Sequence, residues 1–337
     1  MRIKKGVLAM VCLSLTLFGC AKAPDYVTQS QKYPWILAHA SSTDTITSIF
    51  ADKFAQEVER LSHGRMQIDV YANSTIGGDR ELIESCLGKD VKFVVQNTAP
   101  QVSFMPELAI FDLPMVYDDI QDVRKALDDK EFMHALQNVY TQAGFQLLTM
   151  ADQSFRVMTT NEPVYSIDDF KGQKIRTMEN NYHLSFWQNI GANPTPMSFS
   201  EVYIGLQQGT IDAQENPIEV IVSSRLYEQQ AYIIETNHLP HLLSLITNQE
   251  FYQSLSSEDQ KIIDQASQNA RDYARKMSDE RIAQRLDICK ENHVQIISID
   301  DALRQEMRQK NTQLYEDIAE KVGDSIYETY LKYADWR

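Results

Sequence analysis

The sequence predicts an α/β protein of two lobes that are joined by a hinge and backed by one long helix. Near the start of the chain, strand and helix patterns alternate in the order β-α-β-α-β, which is typical of a mostly parallel sheet covered by helices. The 337 residues suffice for two lobes that each have a hydrophobic core. A helical pattern from Leu255 to about Asn292 would extend roughly 50 Å, which exceeds one lobe.

The first lobe is predicted from short apolar runs that alternate with amphipathic segments. Between Thr45 and Leu61, apolar residues recur at helical spacing and define one face. The loop at Gly77 and Gly78 matches neither the Rossmann nor the P-loop pattern, so we interpret it as a turn. The predicted strands are Trp35–Ala38, Met66–Tyr71, Val91–Val95 and Phe145–Met150, and the predicted helices are Thr45–Leu61, Asp79–Leu87, Ile120–Leu127 and Glu131–Ala143.

The second lobe is predicted to begin near Asp152–Phe155 and to end near Thr236–Leu242, where the chain crosses back. We expect lobe I to comprise residues 33–153 and about 242–281, and lobe II residues 154–241 and about 282–337. Two or three such crossings form a hinge whose opening a ligand can set.

Local signals place the remaining elements. Ser166 followed by two acids indicates a capped turn, and Ser257 with Gln260 suggests a capping box at the start of the long helix. The other predicted elements are strands at Lys174–Thr177 and Val294–Ile299, a helix at Tyr182–Ile190, and an amphipathic helical segment at Asp301–Trp336.

Residues 1–20 are predicted to be an export signal rather than part of the fold. A basic start at residues 2–5 precedes an apolar run at 7–18, which is too short to span a bilayer. The run ends Leu-Phe-Gly-Cys, which resembles a lipobox, so Cys20 is predicted to carry a lipid anchor. An ordinary signal peptide with Cys20 incidental is the alternative, and residues 21–32 form a polar tether in either case.

Charge and motifs exclude several classes of function. The net charge of −15 argues against nucleic acid as a partner, and it means that an anionic ligand must be held by local arginines. The sequence has no G-x-S-x-G, H-E-x-x-H, P-loop or clustered Cys and His, so no enzyme, metal site or cofactor is expected. Cys86 and Cys289 are interpreted as separate thiols, Cys86 on a buried helix face, although a disulfide remains an alternative.

Arg176 is the residue around which the ligand site is predicted. It lies at the end of a short strand that a loop and a helix follow, and α/β sheets bind ligands beyond the carboxyl ends of their strands. The planar guanidinium matches a carboxylate in a bidentate geometry. A surface arginine or an internal ion pair is the alternative on spacing alone.

Three contiguous motifs add a family resemblance. They are G-x-K-I-R-T, G-A-N-P-T-P-M-x-F-S-E-V-Y and L-Q-Q-G-T-I-D-A-Q-E-N-P, and with F-x-L-P at Phe111–Pro114 the likeness runs from about Trp35 to about Ile299. The chain resembles the DctP family, the substrate-binding proteins of tripartite ATP-independent periplasmic (TRAP) transporters. The resemblance implies a periplasmic-binding-protein fold, a salt bridge from Arg176 to a ligand carboxylate, support from Arg156 and Asn216, and an aromatic wall at Phe199.

The resemblance also implies partners: a small organic acid and the small and large TRAP membrane subunits, with a monomeric binding protein in the periplasm. His39 and Gln96 lie at strand ends where the family's first lobe contacts ligand, and Glu179 is positioned to accept hydrogen bonds from ligand hydroxyls. An ordinary hydrogen-bonded histidine, a solvated acid and core packing are the alternatives for His39, Glu179 and Phe199.

Ligand identity is the least determined expectation. The pattern of the sialic-acid branch is absent at His39, Gln96, Ala99 and Glu179, which disfavours sialic acid. A sugar acid such as a uronate or aldonate is favoured, with a C4-dicarboxylate next, although no second cation was located on lobe I. A ligand-presenting sensor and an enzyme that clamps organic acids with arginines are the alternatives from other classes.

Overall fold

The computed structural model describes residues 34–334 of the chain. The predicted export signal, the lipidation site at Cys20, the tether and the last three residues lie outside this range. Within it, none of the helices combines the length and the apolar character that crossing a membrane requires.

The described part of the chain alternates strands and helices from end to end. The strands are β1 (Trp35–Ala38), β2 (Ile68–Tyr71), β3 (Phe93–Asn97), β4 (Phe145–Thr160), β5 (Lys174–Thr177), β6 (Asn193–Pro196), β7 (Ala213–Pro217), β8 (Tyr232–Glu235), β9 (Pro240–Asn248) and β10 (Gln295–Ser298). The α-helices are α1 (Ile46–Leu61), α2 (Asp79–Leu87), α3 (Ile120–Asp128), α4 (Lys130–Gln142), α5 (Asn181–Asn189), α6 (Val202–Gln207), α7 (Ile218–Ser223), α8 (Gln249–Ser254), α9 (Ser257–Glu291), α10 (Asp301–Lys310), α11 (Thr312–Val322) and α12 (Asp324–Leu331).

Strand β4 connects the two lobes. Along the sheet the strands run β2-β1-β3-β9-β4-β7-β5-β6, with β8 and β10 beside the far end of β4. The first part of β4 pairs antiparallel with β9, and its last residues pair antiparallel with β7 and β8. Parallel pairing joins β1 to β2 and β3, and β5 to β6 and β7. The fold is therefore the two-lobed α/β fold that the sequence predicts, and one strand runs through both lobes.

The long helix α9 packs along this assembly for 35 residues, about 50 Å. Its small buried face, Ala266, Ala270 and Ala274, lies in one hydrophobic cluster with Phe50 and Phe54 of α1. Farther along, Arg285 of α9 donates to Glu219 of α7 at 2.7 Å and to Asp44, just before α1, at 2.7 Å. The helix therefore contacts elements of both lobes.

Some element boundaries differ from the sequence predictions. The strand expected at Phe145–Met150 continues to Thr160, with a register shift between Asp152 and Phe155. The N-cap of α9 is Ser256, whose hydroxyl accepts from the Asp259 backbone N–H; Ser257 is the first helical residue. The helical segment expected from Asp301 consists of three helices, which Asn311 and Gly323 separate.

Candidate functional site

Arg176 lies in β5, a central strand of lobe II, and its side chain is almost fully buried. Only 2% of the residue is exposed. Its Nε and Nη2 atoms donate to the backbone oxygen of Met197 at 2.9 and 2.6 Å. The Phe199 ring centroid lies 5.9 Å from its Cζ. Within residues 34–334, Nη1 has no hydrogen-bond partner and the guanidinium forms no ion pair, so one edge of the fork is available to a ligand.

The charge state of Arg176 follows from this burial. Burial lowers its pKa to about 10, while the carboxylates of Glu215, Asp79 and Glu179 act in the opposite direction. A pKa of about 10 keeps the guanidinium charged at neutral pH. The site therefore holds a buried cation, and nearby anions stabilise it without direct contact.

Two adjoining cavities meet at Arg176. Their volumes are about 100 and 40 Å³. Both are lined by Ala40, Asp79, Arg176, Met178 and Phe199. Ala40 and Asp79 belong to the segment before β4, whereas Arg176 and Phe199 follow it, so the cavities lie between elements from both parts of the chain. Hydrogen-bonding groups from both parts therefore line the same space.

Most of the predicted site residues line these cavities. Phe199 lines both, Glu179 lines the larger, and Gln96 and Asn216 line the smaller. Gln96 is only 2% exposed, and its amide forms no hydrogen bond within ordinary distance limits in the described chain, although it is near enough to Asp79 to lower the pKa of that carboxyl group. An unpaired buried amide is costly, so Gln96 is well placed for a polar ligand group.

Arg156, which the resemblance implies as support for the ligand site, forms bonds to several neighbouring side chains. Its Nε and Nη2 atoms form a two-pronged ion pair with the carboxylate of Glu215, and Nη2 also donates to Asn216 Oδ1 at 3.2 Å. Its Nη1 donates to His241 Nδ1. Arg156 lines neither cavity among the residues described, because β4 and β7 pair side by side and bring Glu215 against it. Arg156 therefore contacts Asn216 and His241, which line the smaller cavity.

His39 is buried beside the cavities but is absent from the described lining. It is 1% exposed, and neither ring nitrogen has a hydrogen-bond partner in residues 34–334. Burial lowers its pKa to about 4, so the ring is neutral at neutral pH. Its neighbour Ala40 forms part of the wall of both cavities.

Sequence reasoning did not select several polar residues of the site, among them Asp79 and His241. Asp79, the first residue of α2, lines both cavities, and His241 of β9 lines the smaller one. Only the folding of the lobes brings Asp79 close to Arg176, because almost one hundred residues separate them along the chain. The Gly77-Gly78 turn before α2 was the one local signal, and it gave no reason to choose Asp79.

Metal and thiol chemistry have no visible site in the described residues. No group of His, Cys, Asp and Glu side chains there could hold a metal ion. Cys86 and Cys289 are both buried and free, so the alternative of a disulfide between them is wrong. Burial raises their pKa values to about 12 and 11, which keeps both thiols protonated.

A two-lobed α/β fold with a buried cation that lines a cavity is typical of extracytoplasmic solute-binding proteins. A family model described as bacterial extracellular solute-binding protein, family 7 (DctP), matches residues 37–322. This chain belongs to the DctP family, and it is a TRAP substrate-binding protein rather than an enzyme.

Individual relatives extend the comparison. The ectoine-binding periplasmic protein TeaA of Halomonas elongata is 34% identical over 241 residues, which cover 71% of this chain and 70% of that protein. The sugar acid binding protein DctPAm from Advenella mimigardefordensis, solved with galactonate, superposes with a TM-score of 0.85 at 28% identity, covering 89% of this chain and 97% of the other. A TRAP solute-binding protein from Polaromonas, bound to D-erythronate, gives 0.84 at 29% identity, covering 90% and 98%.

Proposed function

We propose that this protein captures a small organic acid by a salt bridge between Arg176 and the carboxylate of the ligand. The observation that carries the proposal is a guanidinium that is 2% exposed, has no acidic partner in the described chain and lines a cavity. Buried charges are ordinarily paired, so the missing anion is assigned to the ligand. Asn216 and Phe199 line the same space and would contact the captured molecule.

Capture proceeds by closure of the two lobes. The strands β4 and β9 lie where the chain crosses between lobes, near Asp152–Phe155 and Thr236–Leu242, and the proposed lobe boundaries follow these crossings. A ligand that contacts both lobes binds the closed form best, and it shifts the population toward that form by its differential affinity. The α9 helix contacts both lobes and couples their movement.

A sugar acid, such as an aldonate or uronate, is the favoured ligand. The DctPAm and Polaromonas structures hold galactonate and D-erythronate, and this chain superposes on both along nearly its whole length. Gln96 and Glu179 supply hydrogen-bonding groups that suit hydroxyls. A C4-dicarboxylate is the second candidate: Arg80 lines the larger cavity, but its side chain is 57% exposed and bonds Glu84 at 3.2 Å, so it is a weak partner for a second carboxylate.

The direct test is isothermal titration of wild-type protein and the Arg176→Ala variant with organic acids that bind the wild type. Removing one partner of a buried charge pair costs about 3–5 kcal/mol, so the variant should bind at least a hundredfold more weakly. Arg176→Lys should also bind more weakly, because a point charge replaces the planar fork.

The matched control is Lys174→Ala. Lys174 lies on the same strand and its replacement removes the same charge, but its ammonium bonds Asp212 at 3.2 Å at a half-exposed position outside both cavities. Binding should be nearly unchanged. An Arg176→Ala variant with the affinity of the wild type would refute the proposed salt bridge.

Delivery to the membrane completes the proposed role. We expect the closed, monomeric protein to dock on the small and large TRAP membrane subunits, and we expect a lipid on Cys20 to hold it at the membrane surface. Mass spectrometry of protein purified from membranes checks the anchor: diacylglycerol on Cys20 supports it, and an unmodified mature N-terminus beyond residue 20 refutes it. Light scattering of the purified protein checks the monomeric state.

A further inference from the structure

Asp79 is an acid placed beside a cation that it does not neutralise. It is the first residue of α2, and it lines both cavities together with Arg176. No ion pair joins Asp79 to an arginine or lysine in the described chain. Burial raises the pKa of its carboxyl group, and Glu81 and Glu179 act in the same direction, whereas the amide of Gln96 and the charge of Arg176 lower it. The cavity therefore presents a cation and a separate acceptor to one ligand.

A second polar group of the cavity lies beside Asp79. Gln96 lines the smaller cavity with Asp79 and is 2% exposed. Its amide forms no hydrogen bond within ordinary distance limits in residues 34–334, although it is near enough to Asp79 to lower the pKa of that carboxyl group. Both groups line the cavity that Arg176 lines. A bare hydrocarbon chain in this space would offer neither group a hydrogen bond, at a cost to binding.

Resting on the function proposed above, we propose that Asp79 determines ligand specificity by accepting a hydrogen bond from a hydroxyl or ammonium group that the ligand carries beside its carboxylate. Arg176 binds the carboxylate, and Asp79 and Gln96 bind the donor-bearing carbons next to it. The site therefore selects hydroxy or amino acids over dicarboxylates and over unsubstituted carboxylic acids.

The charges around the cavity agree with this selection. A second carboxylate near Asp79 would meet like charges from Asp79, Glu81 and Glu179, all of which line the larger cavity. The one lobe I cation of the described lining, Arg80, is directed elsewhere. Its side chain is 57% exposed, bonds Glu84 at 3.2 Å and lies 5.5 Å from the ring centroid of Phe104. Solvent and Glu84 therefore weaken its attraction for a second ligand carboxylate.

The test begins with a thermal-shift screen of the wild type against four kinds of acid: galactonate, its 2-amino analogue, succinate and hexanoate, each with close homologues. A bound ligand raises the melting temperature, and the ratio of affinities gives the selectivity. We expect a hydroxylated or aminated acid to bind at least tenfold more tightly than succinate and hexanoate. Preference for succinate or hexanoate would overturn the inference.

The second step is isothermal titration of Asp79→Asn. Loss of a charged acceptor should weaken binding of the donor-bearing acid by about tenfold or more and leave succinate unchanged or tighter. A larger loss for the amino acid than for the hydroxy acid identifies an ammonium group as the natural donor, and the reverse identifies a hydroxyl. An unchanged affinity ratio overturns the inference.

Asp324→Asn is the matched control. Asp324 is the first residue of α12 and follows Gly323 as Asp79 follows Gly78, so both substitutions remove the same favourable charge at a helix N-terminus. Asp324 lines neither cavity, and its variant should keep the wild-type selectivity. Arg176→Ala separates the two proposals: it should abolish binding of every acid, whereas Asp79→Asn changes only the preference among acids. A wild type that binds none of the acids counts against the proposed function and, because the inference rests on it, against the inference as well.

Discussion

Two buried arginines of the same sheet should respond in opposite ways to replacement by leucine. Arg156 and Arg176 are 1% and 2% exposed, but only Arg156 has an acidic partner, Glu215, which is fully buried. Arg156→Leu leaves the Glu215 carboxylate buried with its main partner gone, which should destabilise the protein by about 3–5 kcal/mol. At about 2 °C per kcal/mol for a chain of this size, the melting temperature should fall by about 6–10 °C.

Arg176→Leu removes a cation whose burial destabilises the folded protein. A pKa of about 10 in place of 12.5 corresponds to about 3 kcal/mol of unfavourable burial. The lost hydrogen bonds to the Met197 carbonyl return about 1–2 kcal/mol of this. The ligand-free variant should therefore be as stable as the wild type or about 1–2 kcal/mol more stable, although it should not bind ligand. Urea unfolding followed by circular dichroism measures both free energies.

The pH dependence of Arg156→Leu provides an independent check. Burial raises the pKa of Glu215, but the charge of Arg156 and the hydrogen bonds that Glu215 accepts from His238 and Arg156 hold this pKa well below its ordinary value of 4.5. A depressed carboxyl pKa contributes stability above pH 4.5 that is lost as the pH falls further. The variant lacks this contribution, so its deficit relative to wild type should shrink from neutral pH to about pH 3. If Arg176→Leu destabilises the protein as much as Arg156→Leu does, Arg176 is a structural residue and the reasoning fails.

Two further predictions concern packing. Ala270→Leu should lower the free energy of unfolding in urea by about 1–3 kcal/mol, because Ala270 is fully buried where α9 meets α1. Gln268→Leu, on the exposed face of α9, should change this free energy little. Equal effects of the two substitutions would refute this packing. In protein that lacks residues 1–20, Cys86 and Cys289 should resist a thiol reagent at pH 8, because both thiols are buried and protonated. Both should react once guanidinium unfolds the protein. Rapid labelling of the native protein would contradict this prediction.

Local signals in the sequence predicted the elements that carry regular patterns. The bounds of β1, α2 and β5 agree with the prediction, because apolar runs and capping residues define them. The full length of β4 was not predictable, since polar residues from Asp152 to Ser154 interrupt its apolar pattern. Ser154 has a positive φ of 64° at the register shift, and the strand continues beyond it. A bulge of this kind depends on the partner strand β9, which lies about ninety residues farther along the chain.

The candidate site was predicted in part for the same reason. Arg176 was found because a strand end is a local feature, and the motifs around it resemble a family. The antiparallel register of β4 and β7 places Met158 opposite Glu215 and Arg156 opposite Pro217, which brings Arg156 and Glu215 close enough to form an ion pair. The spacing of Arg156 and Glu215 in the sequence does not indicate that register. The sequence alone therefore could not show that Arg156 already has an acidic partner.

Unpaired buried groups connect the architecture of the site to its proposed motion. Arg176 forms no ion pair in the described chain, and the amide of Gln96 forms no hydrogen bond there within ordinary distance limits. Each unsatisfied group disfavours the closed, empty form by about 1–3 kcal/mol, and opening returns it to water. A ligand that satisfies both therefore gains a few kcal/mol of differential affinity for the closed form, whereas reversing a population from 1:99 to 99:1 requires about 5.5 kcal/mol. The unsatisfied groups that destabilise the closed, ligand-free form can thus supply much of the free energy with which a bound ligand stabilises closure.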